Sequence, residues 1–354
     1  MKLSFKIGSA WGIPIELHLT FILLIVAVFI LFYPQIYSFV LILFLFVFVV
    51  FHELAHSVVA RRYGIKVRKI ILYPIGGVSE IEEIPENPSI EWRMAIAGPV
   101  TSLILGGAFL GINQFISIQI PLSTVPSSIL SSGNLLLDLG FINLLLGAFN
   151  LIPAFPMDGG RVFRALLAER MKFSDATKYA AYIGRIFGIL MVVVGVFSNF
   201  WLIVIGVFVY IGASEEAEQT IVSTTLASVR VKDVMQSEVG AVHPDQTIAE
   251  TLEVMFKSRY HDALVERDGV FQGVVIWNEI IKVAPEQRNN LKVEQMPLKN
   301  ISTYQDEAVL EVYKLMTKEK IDLIPVVDRE TPTKVIGVLT SEAIANAYEK
   351  ARNR

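Results

Sequence analysis

The chain has 354 residues, 53% of them hydrophobic and only 18% charged. Soluble domains average about 25% charged, so this composition excludes an ordinary soluble protein, and the length suits about two domains. A formal net charge of −3 gives no basis for nucleic-acid binding, and the absence of cysteine excludes disulfides, thiolate catalysis and Cys-type zinc sites.

Lys2 and Lys6 begin the chain, but no short apolar stretch ending in a small-residue cleavage site follows, so the first apolar run reads as a retained span. That span is expected over Ile15 to Tyr33, with Glu16 and His18 at its start. A second span, about Ser38 to Ala60, carries Phe51-His52-Glu53-Leu54-Ala55-His56 near its end. On a helix His52 and His56 are i and i+4 and share one face. That spacing suits two neutral imidazoles on one Zn²⁺, with Glu53 as general base. Ionisable groups inside a bilayer are costly and mark function. His18 has no i+4 partner and is read as an interfacial polar residue, while His243 and His261 are read as structural or surface groups.

Val67 to Ile84 is rich in β-branched residues, with Pro74 and Gly76-Gly77 in its middle, and predicts a strand–turn–strand. A third span is expected from Glu91 to about Ile112, with a local kink at Gly98-Pro99. Residues 113 to 133 form a loop without a charge, and a fourth span follows from about Asn134 to Ile152. It leads into Asn150-Leu-Ile-Pro-Ala-Phe-Pro-Met-Asp158-Gly-Gly-Arg161, and then into an amphipathic, interfacial helix from Val162 to Lys172. The last spans are expected over Tyr179 to Phe197 and over a short Phe200 to Gly212. Lysine and arginine fall in alternate loops, which places six spans with both termini in the cytoplasm.

A catalytic zinc takes three protein ligands and keeps an open position. Asp158 lies at the same cytoplasmic depth as the histidines, in a Gly-rich turn that opens a helix. Alone it would read as a helix N-cap; beside the histidine pair it reads as the third ligand, and it can serve as both.

From about Val229 the chain is soluble α/β and repeats itself. Asp245 to Met255 aligns with Asp306 to Met316 at an offset of 61, and each copy continues as strand, turn and second strand.

Phe51-His-Glu-Leu-Ala-His56, Ala97-Gly98-Pro99 and the Asn150 to Arg161 segment together resemble the site-2 protease family of intramembrane zinc metalloproteases. The repeats, led in by Val231-Lys-Asp-Val-Met235, resemble a tandem pair of cystathionine-β-synthase (CBS) domains. The resemblance implies a multi-span α-helical membrane protein with a membrane-associated β-hairpin, plus a soluble α/β CBS pair. The domains would be residues 1–222 and 223–354, with repeats at about 229–285 and 290–350. It implies zinc on His52, His56 and Asp158, Glu53 as base, and Asn150 holding the substrate or the developing oxyanion. The implied reaction hydrolyses a peptide bond in or near a transmembrane helix of a substrate protein, in the cell membrane. Such a substrate must be unwound locally, and the edge of the residue 67–84 hairpin could receive it as an added strand.

CBS pairs often bind adenine nucleotides through a Thr/Ser-x-x-Asp signature. Here the copies end in Glu279 and Ala343, of which only Glu279 can stand in for the aspartate. Two roles therefore stay open for the pair, nucleotide regulation and a structural or homodimerising one. Two rival functions are a metal-binding membrane receptor or chaperone that does not cut, and a CBS-gated transporter. Metal binding alone does not need Glu53, and the membrane half lacks the internal repeat usual in transporters.

Overall fold

The computed structural model describes residues 3–32, 36–74, 76–81, 87–116, 118, 132–237, 240–258 and 260–352. The chain divides into two compact units, Met1–Glu218 and Gln219–Arg354.

The first unit opens with strands rather than with a span. β1 (Ser4–Ala10) and β2 (Ile13–His18) form a hairpin turned at Trp11-Gly12, where both residues have positive φ. The stretch expected to start the first span at Ile15 is thus strand. Ile13-Pro-Ile-Glu-Leu-His alternates apolar and polar residues at its end, and Ile13 is buried against Leu54 and Ile70. Helix α1 (Leu19–Phe32) begins only after it, and its 14 residues extend roughly 21 Å. The tip joining it to the next helix lies outside the described residues.

Helix α2 (Ile36–Arg62) contains neither Gly nor Pro, which allows 27 unbroken helical residues. It ends in Arg61-Arg62, and Gly64 takes the left-handed conformation just beyond (φ +77). The predicted hairpin follows as β3 (Val67–Tyr73) and β4 (Gly76–Ile81). Together the strands form one four-stranded sheet in the order β1-β2-β3-β4. β2 and β3 run parallel, with Ile15 opposite Ile70, so the α1–α2 pair serves as their crossover. Ile70 and Leu72 point inward from β3, towards Leu54 and Phe46 of α2. Among the described residues β4 pairs only with β3, which leaves its other edge open.

Helix α3 (Pro88–Asn113) keeps Pro99 inside it, and α4 (Leu135–Asn150) packs closely against it. Glycines make the approach possible: a Cβ at Gly147 would lie 2.9 Å from the Pro99 carbonyl oxygen, and one at Gly106 would lie 2.9 Å from the Leu144 nitrogen. Most of the loop expected over 113–133 lies outside the described residues. Helix α5 (Asp158–Ala168) is followed by α6 (Phe173–Ser198) and α7 (Phe200–Ala227).

Among the described residues α2, α3, α6 and α7 are long and apolar enough to cross a membrane, four helices where six spans were expected. α1 and α4 are shorter. α7 does not stop at Gly212; with no proline between Phe200 and Ala227 it continues for 28 residues through Glu215, Glu216 and Glu218. The amphipathic α5 does not lay Arg164 on an interface either, because that side chain is buried against Glu91 of α3.

The second unit holds two matching sheets. One has the order β5 (Ala241–Val242), β6 (Asp262–Arg267), β7 (Val270–Ile276); the other has β8 (Thr303–Tyr304), β9 (Leu323–Val327), β10 (Val335–Thr340). In each, the first pairing is parallel and the second antiparallel. Helices α8 (Ile248–Ser258) and α10 (Val309–Glu319) fill equivalent places between the first and second strands, and α11 (Ser341–Arg352) closes the second copy. The 61-residue repeat thus appears as a repeated topology.

Candidate active site and metal centre

His52 and His56 project one turn apart from α2, with ring centroids 4.8 Å apart. Both are buried, at 4% and 8% exposure. Each is oriented from behind by α3. The Nδ1 of His56 donates to the Met94 carbonyl oxygen at 2.7 Å, and the Nδ1 of His52 meets Ser102 Oγ at 2.9 Å. A carbonyl only accepts, so His56 carries a proton on Nδ1 and turns its Nε2 toward Asp158.

Asp158 opens α5 and meets both rings. Its Oδ2 is 2.9 Å from His52 Nε2 and 3.1 Å from His56 Nε2. The Gly-Gly that follows lets the preceding loop fold over the first turn: a Cβ at Gly160 would lie 2.5 Å from the Phe155 nitrogen. Burial alone would raise the Asp158 pKa, but the facing imidazoles of His56 and His52 outweigh it and hold the carboxyl below the usual carboxylate range.

Asp158 Oδ2 thus faces both Nε2 atoms at contact distance, an arrangement satisfied either by a proton on an imidazole or by a metal cation between the three groups. Two imidazoles and a carboxylate, buried and converging, form a donor set suited to zinc. Gly98 of α3 keeps the space clear, since a Cβ there would overlap the Nε2 atoms of both histidines.

Glu53 follows His52, and ligand atoms of His52, Glu53 and His56 all lie within 4.8 Å of one another. Its Oε2 accepts a hydrogen bond from Ser79 Oγ of β4 at 2.7 Å. These groups open on a cavity of about 470 Å³, also lined by Gly77, Asn150 and Arg161. Asn150, the last residue of α4, donates through Nδ2 to the Leu146 carbonyl oxygen at 2.9 Å.

The structure therefore brings His52, Glu53, His56, Asp158 and Asn150 to one cavity. Glu279 is not among them. It lies on the short helix α9 (Trp277–Ile280) of the second unit, with its carboxylate 2.6 Å from Lys282 Nζ. His18, His243 and His261 have local partners in Thr20, Asp245 and Asp322. Sequence reasoning missed Ser79, Gly77, Ser102 and the Met94 carbonyl. A lone serine carries no spacing signal, and a backbone acceptor carries no residue type at all.

A membrane-helical core presenting a His-Glu-His helix to an Asp-Gly-Gly turn, followed by two CBS-like repeats, defines the class: a membrane metalloprotease with a C-terminal CBS pair. Comparison with known proteins agrees. The family model for peptidase family M50 matches residues 40–132 and 114–192, and that for the CBS domain matches residues 231–286 and 293–350. A zinc metalloprotease of Methanocaldococcus jannaschii is 41% identical over 278 residues, 78% of each chain. Stage IV sporulation protein FB of Bacillus subtilis is 29% identical over 133 residues, covering 37% of this chain and 42% of its own. Among solved structures, the site-2 protease from Methanocaldococcus jannaschii is 44% identical and covers 60% of this chain and 95% of its own, with a TM-score of 0.46. The chain belongs to peptidase family M50, the site-2 proteases, and is a zinc-dependent protease that carries a tandem CBS pair. The family is membrane-embedded and acts on membrane-protein substrates.

Proposed function

We propose that this protein is an intramembrane endopeptidase that cuts a substrate within or next to a transmembrane helix, with His52, His56 and Asp158 holding the zinc. The observation that carries the assignment is the convergence of Asp158 Oδ2 on both Nε2 atoms, at 2.9 and 3.1 Å. When bound, zinc supplies Lewis acidity toward a water and toward the scissile carbonyl. The chain's residues do the rest. Met94 and Ser102 fix the imidazole planes. Glu53 is the general base: it takes the proton of the attacking water and returns it to the departing amine. Asn150, on the cavity wall, is positioned to contact the substrate backbone or the oxygen that gains charge.

A helical substrate keeps its carbonyls in intrahelical bonds, so the cleaved stretch must be extended before it can react. The open edge of β4 lies beside Glu53 and offers replacement backbone partners for an extended strand. Lysine and arginine distribution favours cytoplasmic termini, which puts the cavity near the cytoplasmic face, where water is available. In the CBS pair, Glu279, paired with the exposed Lys282 at 2.6 Å, is the residue proposed to contact the ribose of an adenine nucleotide, while Ala343 offers no carboxylate.

The test is made in proteoliposomes with a transmembrane reporter substrate. Asp158→Ala is expected to lose both zinc stoichiometry and cleavage, whereas Glu53→Gln keeps zinc and loses cleavage. Cleavage at the wild-type rate by Glu53→Gln would overturn the assignment.

A further inference from the structure

The face of α2 that carries Glu53 also carries Val49 one turn before it and Ser57 one turn after. That face packs on β4. Gly77 and Ser79 are two residues apart on the strand and point to the same side. A Cβ at Gly77 would lie 2.6 Å from Glu53 Cγ and 3.1 Å from Val49 Cγ1, so glycine sets how close the strand can come. At that distance Ser79 Oγ lies 2.7 Å from Glu53 Oε2 and 3.2 Å from Ser57 Oγ. An ionised carboxylate only accepts, so the Ser79 hydroxyl must donate to it. The Ser57 hydroxyl, fully buried, then donates to Ser79. The result is a directed chain from Ser57 to Ser79 to Glu53, in which each bond polarises the next.

We propose that Ser79 is a positioning residue for Glu53, fixing one carboxylate oxygen so that the other faces the scissile bond, and that Ser57 supports it. A glutamate has three side-chain torsions, and holding it in one rotamer costs conformational entropy. The hydroxyl chain offsets that cost before substrate arrives. The same bond ties the base to the strand whose edge would receive the substrate, so chemistry and substrate register share one fixed point. The inference rests on the reading of Glu53 as general base.

The test uses the full-length, zinc-loaded protein in proteoliposomes. Ser79→Ala is expected to lower kcat about tenfold, a fraction of what general-base catalysis supplies, with KM and zinc stoichiometry unchanged. Ser79→Thr, which keeps a hydroxyl, should recover most of the rate, and Ser57→Ala should lower kcat two- to threefold. In a Glu53→Asp background the shorter carboxylate no longer reaches Ser79, so adding Ser79→Ala should cost less than about twofold. An unchanged kcat in Ser79→Ala, a loss confined to KM, or an undiminished tenfold loss in the Glu53→Asp background would each overturn the proposal; the last two would make Ser79 a prop for the strand only. Normal cleavage by Glu53→Gln would instead remove the base assignment beneath it. An inactive Glu53→Gln with a fully active Ser79→Ala would remove this inference alone.

Discussion

Glu216 of α7 meets the guanidinium of Arg164 on α5 at 3.3 Å, and the same guanidinium donates from Nε to Glu91 Oε1 on α3 at 2.8 Å. Arg161, one turn earlier on α5, also reaches Glu216, at 3.5 Å. Phe155 and Phe173 cover Arg164, with ring centroids 4.9 and 4.7 Å from its Cζ. Three helices are thereby locked to the one that begins with Asp158. The position of Asp158, the proposed third donor, therefore depends on charges two turns away from it.

Removing Arg164 should be far more harmful than removing a surface arginine. Glu91 is only 3% exposed, and its Oε2 has no other partner among the described residues. Arg164→Ala leaves that carboxylate buried and uncompensated, which typically costs about 3–5 kcal/mol. Arg164→Lys keeps the charge but loses the fork and the stacking, so it should recover only part of the loss. Thermal unfolding of the purified protein in detergent checks both.

Gly98 makes a sharper probe of the metal centre. A Cβ there would overlap both Nε2 atoms, so Gly98→Ala should displace the imidazoles and abolish both zinc stoichiometry and cleavage. Gly107 lies on the same helix, and a Cβ there would meet nothing within 4 Å. Gly107→Ala should leave zinc and cleavage intact and stabilise the helix by up to about 1 kcal/mol. Metal analysis of the two variants side by side separates the site from general helix effects.

The legible parts of this site were those written within a few residues of one another. His52, Glu53 and His56 lie on two turns of one helix, and Asp158 adjoins its own glycines, so motif and depth together placed them. The hairpin was legible because Val67 to Tyr73 is β-branched and ends at a Pro and two Gly. Ile13 to His18 was not: an apolar strand leading straight into an apolar helix has no internal boundary, and its partners, β1 across the Trp11-Gly12 turn and β3 some fifty residues away, make it a strand. Arg164 misled for a related reason. The helix pattern shows that it is charged and cannot show that Glu91, 73 residues earlier, folds over it.

In the second unit Asp262 joins the two copies. It is buried at 3% exposure, and its carboxylate accepts from the backbone N–H of Trp277 in its own copy at 3.0 Å and of Asp322 in the other at 2.6 Å. Burial raises its pKa, and these N–H donors only partly oppose that. A carboxyl with a raised folded pKa favours folding most when protonated. That contribution is present at low pH and is lost as pH rises through the folded value. Asp262→Asn should flatten this dependence, read as apparent Tm between pH 4 and pH 7. Asp262→Ala, which orphans two N–H groups, should cost about 1–3 kcal/mol for each group left unpaired.

The free edge of β4 gives the last prediction, and it separates substrate delivery from chemistry. Among the described residues β4 is bonded to β3 on one side only, and Val78 and Glu80 are its exposed residues. Proline at Val78 or Glu80 removes a backbone N–H from the strand and obstructs pairing. None of the three proposed zinc donors is on β4, so Val78→Pro and Glu80→Pro should retain zinc. Cleavage of a transmembrane substrate should nevertheless fall by at least tenfold, because the extended stretch has no strand to join. A short soluble peptide that is already extended should lose less, since it does not need the strand to unwind it. Equal losses on both substrates would mean that the prolines act by moving Glu53, and full cleavage with zinc retained would show that the substrate does not use this edge.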